Sequence, residues 1–344
     1  MARLKGLIRK LVETYGPAGS EDHIREVIEA EVAPYVDDLR VDAIGNLICK
    51  VGPRGNPPEE PKRIMVSAHM DEIGLVVSFI DDKGFLRFSP AGGFVPHTLV
   101  GERVTFANGT TGVIGSEKVD DIKDIKIEKL FIDIGARDRA DAESRVRIGD
   151  AAGYRHDFVD LGERMVAKSM DDRVGCAVAI EAMKRIRPAV AEVYVVFTVQ
   201  EELGLRGART SAYGINPHVG LAVDVTTWGD TPEAAPMPVS LGKGVAIKAK
   251  DTSVVVHPGV KNFLIGLAER NGIPYQIEVL DRGGTDAGAI HLTREGVPSG
   301  AISIPCRYVH SSSEMVDAGD VQAAIRLLSG ALDELASPTG GGIL

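Results

Sequence analysis

The sequence lacks an apolar stretch long enough to cross a membrane. None of its uninterrupted apolar runs reaches the ~20 residues that a membrane-spanning helix needs. The first residues, Met1-Ala2-Arg3-Leu4-Lys5-Gly6-Leu7, also lack the apolar core and the small-residue cleavage site of a signal peptide. We therefore expect no association with membranes and no secretion.

Cysteine is scarce, and the three cysteines follow no recognisable pattern. Cys49, Cys176 and Cys306 are widely separated, so they form neither a CxxC pair nor a disulfide framework. A chain without disulfides is typical of a reducing compartment, and we predict a cytoplasmic location.

Basic residues are also fewer than acidic ones, with 39 Lys and Arg against 49 Asp and Glu. The net charge of −10 at pH 7 argues against a surface that binds nucleic acid or an anionic membrane. Hydrophobic residues make up 44% and charged residues 26%, which is the usual balance of a soluble globular protein. A length of 344 residues predicts two domains, or one domain with a large insertion.

Both ends of the sequence alternate helix and strand patterns. Residues 2–14 and 320–335 carry apolar positions at helical spacing. Residues 64–68 and 193–199 are predicted strands buried on both faces, because their apolar residues do not alternate with polar ones. These patterns predict an α/β domain made of residues 1–72 and 163–344.

The pattern between the two parts of this domain is different. From Ile73 to Gly162, short β-type segments are separated by turn signals such as Asp82-Lys83-Gly84 and Asn108-Gly109, and long helices are absent. We predict that residues 73–162 form a small all-β domain inserted into the α/β domain.

Possible metal ligands follow several predicted strands. The candidates are His69 and Asp71, Glu201 and Glu202, Asp224, and His310, together with Asp171 and Asp172 at the start of a predicted helix. Ligands of open α/β sheets gather outside the carboxyl ends of the strands, so these groups should converge. Their mutual repulsion would then require cations.

Each candidate also has an ordinary structural explanation. Asp171 could cap a helix, Asp224 could be a turn residue, and His310 could be a loop histidine. The joint pattern, rather than any single residue, indicates a metal site.

The types of residue narrow the choice of metal. Two imidazoles and three carboxylates without a thiolate suit Zn²⁺, Co²⁺ or Mn²⁺ better than Ca²⁺. An odd number of carboxylates fits a bridge between two ions, and such a pair can activate a water molecule. Glu201, beside Glu202, could be the general base. Asp71, two residues after His69, could orient the imidazole of His69.

Several of these segments resemble the M42 family of dinuclear zinc aminopeptidases, also called tetrahedral (TET) aminopeptidases. The matching segments are His69-Met70-Asp71, Met170-Asp171-Asp172-Arg173, Gln200-Glu201-Glu202-Leu203-Gly204, Val223-Asp224, and the late His310 with Glu314. The resemblance covers nearly the whole chain. The related M20 enzymes carry their extra domain after the Glu-Glu pair, whereas here roughly 100 residues separate His69 from Asp171.

The resemblance implies a role for each site residue. Asp171 would bridge two divalent ions, Zn²⁺ or Co²⁺, with one ion completed by His69 and Asp224 and the other by Glu202 and His310. Glu201 would be the general base and Asp71 the carboxylate behind His69. Thr285 and Asp286 are weaker candidates for the substrate pocket, and the structural alternative, a turn followed by a helix cap at Thr285, is favoured over that role.

The resemblance also implies a fold and an activity. The α/β domain would be an α/β/α sandwich with a mixed sheet, and the insertion would be a β-barrel-like dimerisation domain. The enzyme would remove N-terminal residues from peptides and would assemble from dimers into a tetrahedral dodecamer. Two alternatives remain at this point: a non-catalytic assembly protein, and an endoglucanase-type glycoside hydrolase that uses two carboxylates.

Overall fold

A computed structural model describes residues 1–340 of the chain. The described residues form eight α-helices: α1 (Ala2–Glu13), α2 (Asp22–Val32), α3 (Arg139–Glu143), α4 (Met170–Met183), α5 (Arg206–Ile215), α6 (Pro258–Arg270), α7 (Ala287–Ile290) and α8 (Ala318–Leu335). No helix among these residues is long and apolar enough to span a membrane.

Seventeen β-strands lie between and beside these helices in the same part of the chain. They are β1 (Asp38–Val41), β2 (Leu47–Val51), β3 (Arg63–His69), β4 (Gly74–Ile80), β5 (Leu86–Ala91), β6 (Arg103–Phe106), β7 (Thr111–Ser116), β8 (Leu130–Asp133), β9 (Ala151–Tyr154), β10 (Val159–Asp160), β11 (Arg164–Ala167), β12 (Glu192–Thr198), β13 (Val219–Thr226), β14 (Val245–Lys250), β15 (Tyr275–Val279), β16 (Ser299–Arg307) and β17 (Glu314–Asp317).

The larger of the two sheets is mixed. Its main path runs in the order β1-β2-β12-β3-β13-β16-β17-β11-β10, and β14 joins β16 and carries β15. The four central strands β12, β3, β13 and β16 are parallel to one another, whereas the flanking pairs on the main path are antiparallel. The carboxyl ends of the four central strands therefore meet at one edge of the sheet.

Helices cover both faces of this sheet. In β12, Val193, Val195 and Phe197 lie in the same hydrophobic core as residues of α1, α2, α4 and α8. Val196, on the opposite face, packs in a second cluster with residues of α5 and α7. The absence of polar alternation in β12 is thus explained by burial on both sides. The predicted α/β/α sandwich with a mixed sheet is confirmed.

The smaller sheet closes on itself. Strands β4-β5-β8-β7-β6-β9 form a closed barrel, and all of its ladders are antiparallel. The barrel has its own hydrophobic core, which includes Leu75, Leu86, Val104 and Ile132. The turn-rich part of the sequence, between the two parts of the α/β fold, thus contains a small closed barrel. Strands β9, β10, β11 and β17 were not predicted.

Candidate metal centre

The candidate ligands lie around the carboxyl edge of the central strands. His69 is the last residue of β3 and is paired in register with Thr198, the last residue of β12. Glu201 and Glu202 follow β12 directly. Asp224 lies within β13, two residues before its end, rather than after the strand as expected from the sequence. His310 lies in the loop between β16 and β17.

Two groups of potential ligands share one carboxylate. In each group, one ligand atom per residue lies within 4.8 Å of the others: the first group is His69, Asp171 and Asp224, and the second is Asp171, Glu202 and His310. Oδ1 of Asp171 lies 2.9 Å from Nε2 of His69, and Oδ2 lies 3.4 Å from Nε2 of His310. Asp171 thus presents one oxygen to each group.

The remaining distances complete the two groups. Nε2 of His69 lies 3.8 Å from Oδ1 of Asp224, and Nε2 of His310 lies 3.1 Å from Oε2 of Glu202. The donor set consists of two imidazole nitrogens and several carboxylate oxygens, with no thiolate. Such a set fits divalent ions of the Zn²⁺ and Co²⁺ type, and a carboxylate with an oxygen in each group fits a bridge.

The backbone at the start of α4 explains how Asp171 reaches both groups. Asp171 and Asp172 have non-helical backbone angles although they lie in the first turn. The carboxylate of Asp171 faces His69 and His310 rather than a backbone N–H of the first turn, so the alternative in which Asp171 caps the helix is wrong. The carboxyl group of Asp172 instead accepts a hydrogen bond from the N–H of Gly175 at 3.1 Å, and it belongs to neither group of ligands.

The protonation of the site reflects its crowded carboxylates. Burial raises the pKa of Asp224 to about 8. Although burial acts in the opposite direction, hydrogen bonds from His310 and His69 hold the pKa of Asp171 below its usual range. Burial alone would lower the pKa of His310, but contacts with Glu202 and Asp171 raise it. A cluster of buried carboxylates that repel one another is suited to binding cations, which would neutralise their charge.

Glu201 and Glu202 diverge after the strand. Glu202 belongs to the second ligand group, whereas Glu201 belongs to neither group and lines the adjoining cavity. Burial raises the pKa of Glu201 well above its usual value, and the carboxylates of Asp224 and Asp286 add to this effect. A carboxyl group with a raised pKa beside a ligand cluster is suited to proton transfer near neutral pH.

Asp71 is completely buried and contacts both the imidazole and the loop that follows β12. Its two carboxylate oxygens accept hydrogen bonds from the N–H groups of Glu201 and Glu202 at 3.0 and 3.1 Å. Nδ1 of His69 lies 3.2 Å from the backbone oxygen of Asp71 and 3.5 Å from its carboxylate. The side chain therefore holds the two glutamates in place more directly than it orients the imidazole.

Glu314 is a site residue whose part was not predicted. It is 2% exposed, and it accepts hydrogen bonds from the N–H of Asp171 at 2.9 Å and from the N–H of His310 at 2.7 Å. The carboxylate of Glu314 thereby holds the backbone of two candidate ligands, Asp171 and His310. The only signal in the sequence was its position four residues after His310.

A cavity of about 920 Å³ opens onto the ligands. Its walls include Trp228, Leu280, Val309 and Arg282 from the sandwich, together with Gly93 and Val95 from the segment after β5 of the barrel. A Cβ atom at Gly93 would lie 2.9 Å from Nδ1 of His310. Glycine at this position thus allows the barrel segment to approach the centre closely.

Thr285 and Asp286 lie behind the centre rather than in the cavity wall. They are 1% and 3% exposed, and Asp286 accepts a hydrogen bond from Oγ1 of Thr198 at 2.6 Å. The preceding residues Gly283 and Gly284 line the cavity instead.

The fold and the site together define the class of protein as a metal-dependent hydrolase. The family model described as M42 glutamyl aminopeptidase matches residues 45–327. The chain therefore belongs to the M42 family and is a metal-dependent aminopeptidase. Membership of this family of metallopeptidases implies divalent metal ions.

Individual relatives agree over nearly their full length. A protein of Acetivibrio thermocellus, named as a candidate aminopeptidase, is 50% identical over 94% of this chain and 96% of its own. The lysyl aminopeptidase of Pyrococcus furiosus is 35% identical over 96% of both chains. The solved structure of Pyrococcus horikoshii TET1 peptidase, titled as assembling into a tetrahedron or a large octahedral shell, has a TM-score of 0.87 and 34% identity, covering 96% of this chain and 100% of its own.

Proposed function

We propose that the chain removes N-terminal residues from peptides at a centre of two divalent ions. Asp171 would bridge the ions, His69 and Asp224 would complete one site, and Glu202 and His310 would complete the other. The observation that carries this proposal is the shared position of Asp171, with one oxygen facing each group. The imidazole and carboxylate donors in each group support Zn²⁺ or Co²⁺ in both sites.

In this proposal a side chain of the protein, that of Glu201, transfers the proton. When bound, two divalent ions polarise a peptide carbonyl and make a water molecule more acidic. Glu201, which faces the cavity, accepts the proton of the attacking water as the new C–O bond forms. It then returns that proton to the leaving amide nitrogen as the C–N bond breaks. Asp71 keeps Glu201 in place through its backbone N–H.

The two alternative functions are not favoured. A scaffold protein has no need for a carboxylate beside the ligands with a raised pKa, and the family is one of aminopeptidases. In a glycoside hydrolase the two carboxylates would act without metal, which would leave His69 and His310 without a role. The location that we propose is cytoplasmic, as supported by three buried cysteines without disulfides.

We propose that residues 73–162 form the dimerisation domain of a tetrahedral dodecamer. The barrel region exposes apolar side chains, including Val100, Val113, Ile122 and Ile148. The assembly named for the Pyrococcus horikoshii structure supports this proposal. We expect sedimentation velocity of the purified chain to give a single species of about twelve protomers, whose association weakens when Ile122 and Ile148 are replaced by serine. A monomer at micromolar concentration would contradict the proposal.

A substrate panel tests the activity directly. We expect the protein loaded with Zn²⁺ or Co²⁺ to hydrolyse aminoacyl chromogenic substrates, and to lose this activity when a chelator removes the metal. The matching N-blocked peptides and soluble cellulose should not be cleaved, because an aminopeptidase needs a free α-amine. Cleavage of the blocked peptides or of cellulose would contradict the proposed function. The relative rates within the panel identify the preferred N-terminal residue.

A further inference from the structure

Four consecutive backbone N–H groups after β12 are bound by side chains from distant segments. Strand pairing of β12 with β3 and β2 ends before this point, so residues 199–202 have no neighbouring strand to accept their hydrogen bonds. The acceptors, in order, are Oδ1 of Asn46, Oε1 of Glu21 and the two carboxylate oxygens of Asp71, at 3.0, 3.2, 3.0 and 3.1 Å. Side chains, rather than a sheet, thus determine the path of the segment that carries Glu201.

Glu21 is the unexpected member of this set. It lies just before α2, is 6% exposed, and also accepts a hydrogen bond from the N–H of Gly19 at 2.7 Å. Burial raises its pKa to about 7, opposed by the N–H of Gly19 and reinforced by the carboxylate of Asp71. None of the groups that chiefly shift the pKa of Glu21 is a cation. A buried carboxyl group without a cationic partner is costly, so its position calls for an explanation.

The contact with Gln200 provides that explanation. Gln200 has a backbone φ of +53°, a left-handed conformation that residues other than glycine adopt infrequently. This residue turns the chain between the end of β12 and Glu201. Its N–H is held by Glu21, whereas the next N–H, that of Glu201, is held by Asp71. The direction in which the Glu201 side chain leaves the backbone depends on both contacts.

We propose that Glu21 is a positioning residue for the general base, acting through the backbone of Gln200. This inference rests on the proposed role of Glu201. The carboxyl group of Glu21 touches neither the ligand groups nor the substrate cavity, so its effect reaches the reaction only through the placement of Glu201. A base displaced by a fraction of an ångström transfers a proton less efficiently, whereas substrate binding is largely preserved.

A purely structural role is the competing explanation, because Glu21 also holds the N–H of Gly19 before α2. Asp320 offers a matched control. It is 1% exposed, it accepts two backbone N–H groups, those of Gly242 and Gly244, both at 2.7 Å, and burial raises its pKa to about 6. Asp320 has the same kind of environment as Glu21, but the residues whose N–H groups it holds, Gly242 and Gly244, belong to neither the cavity wall nor the ligand groups and do not adjoin Glu201.

The experiment compares kcat, KM and Tm of the metal-loaded protein carrying Glu21→Ala, Glu21→Asp, Glu21→Gln or Asp320→Ala. We expect Glu21→Ala and Glu21→Asp to lower kcat about tenfold with KM changed less than about twofold, because the acceptor is lost or shortened. Glu21→Gln keeps an oxygen acceptor of the same reach and should restore most of kcat. Asp320→Ala should lower Tm as Glu21→Ala does, but leave kcat within about twofold of the parent.

Two results would overturn the inference. One is a kcat within about twofold of the parent for Glu21→Asp, which keeps a carboxyl group and is the variant expected to fold even if Glu21→Ala does not. The other is an equal loss of kcat in Asp320→Ala, which would attribute the loss to general destabilisation. Failure of the proposed function is recognised separately by the substrate panel, and failure of the proposed role of Glu201 is recognised by retained activity of Glu201→Gln. An inactive Glu201→Gln together with fully active Glu21 variants rejects only the positioning role.

Discussion

Replacing Glu201 by glutamine is expected to lower kcat by about 10³-fold while the divalent ions stay bound. Glutamine has nearly the same shape as glutamate, but its amide cannot accept a proton from water. Glu201 belongs to neither ligand group, so metal content measured by mass spectrometry after gel filtration should equal that of the parent. KM should change little, because the cavity wall keeps its shape.

Glu192→Gln is the matched control for this result. Glu192 begins the same strand that Glu201 follows, and it pairs with Nζ of Lys50 at 2.6 Å on the opposite edge of the sheet. The same chemical change at that edge should leave kcat unaltered. If Glu201→Gln kept a kcat near that of the parent, Glu201 would not be the base. If it lost its metal, the residue would instead be a ligand.

Replacing Asp171 by alanine is expected to remove both ions and therefore nearly all activity. Each of its oxygens faces a different histidine, at 2.9 and 3.4 Å, so a single truncation damages both sites. We expect the affinity for each ion to fall by more than about 100-fold, beyond the range seen when outer residues of metal sites are replaced. Titration of the metal-free protein with Zn²⁺ or Co²⁺, followed by calorimetry, measures this loss.

Two further variants show whether the loss is specific to a bridging position. Asp224→Ala should weaken the binding of one ion more than that of the other, because Asp224 belongs to only one group. Asp172→Asn should retain two ions, since the carboxyl group of Asp172 binds the N–H of Gly175 and lies outside both groups. Two ions bound with unchanged affinity in Asp171→Ala would refute the bridge.

The sequence was informative wherever a residue type carried its own signal. Residues 64–68 and 193–199 could be assigned to central strands because burial on both faces removes polar alternation. His69, Glu201 and Glu202 could be placed at one edge because parallel strands end together. The turn signals within residues 73–162 indicated short strands, and the structure closes six of them into a barrel.

The supporting contacts could not be predicted in the same way. Glu21, Asn46 and Glu314 accept hydrogen bonds from backbone N–H groups that are remote in sequence. Every residue except proline offers such a donor, so nothing in the sequence marks which N–H a given carboxylate will bind. Strand β17 was missed for a related reason, since four residues beginning with a glutamate give too little pattern to recognise.

The close approach of the barrel segment to the metal centre limits how this protein can be redesigned. Gly92 and Gly93 bring backbone against Glu202 and His310, and Val95 forms part of the cavity wall. The barrel segment therefore cannot be exchanged without changing the surroundings of the metal centre. Excising it to obtain a minimal catalyst would uncover two of the proposed ligands. Conversely, a barrel transplanted from a relative would bring its own portion of the substrate chamber with it.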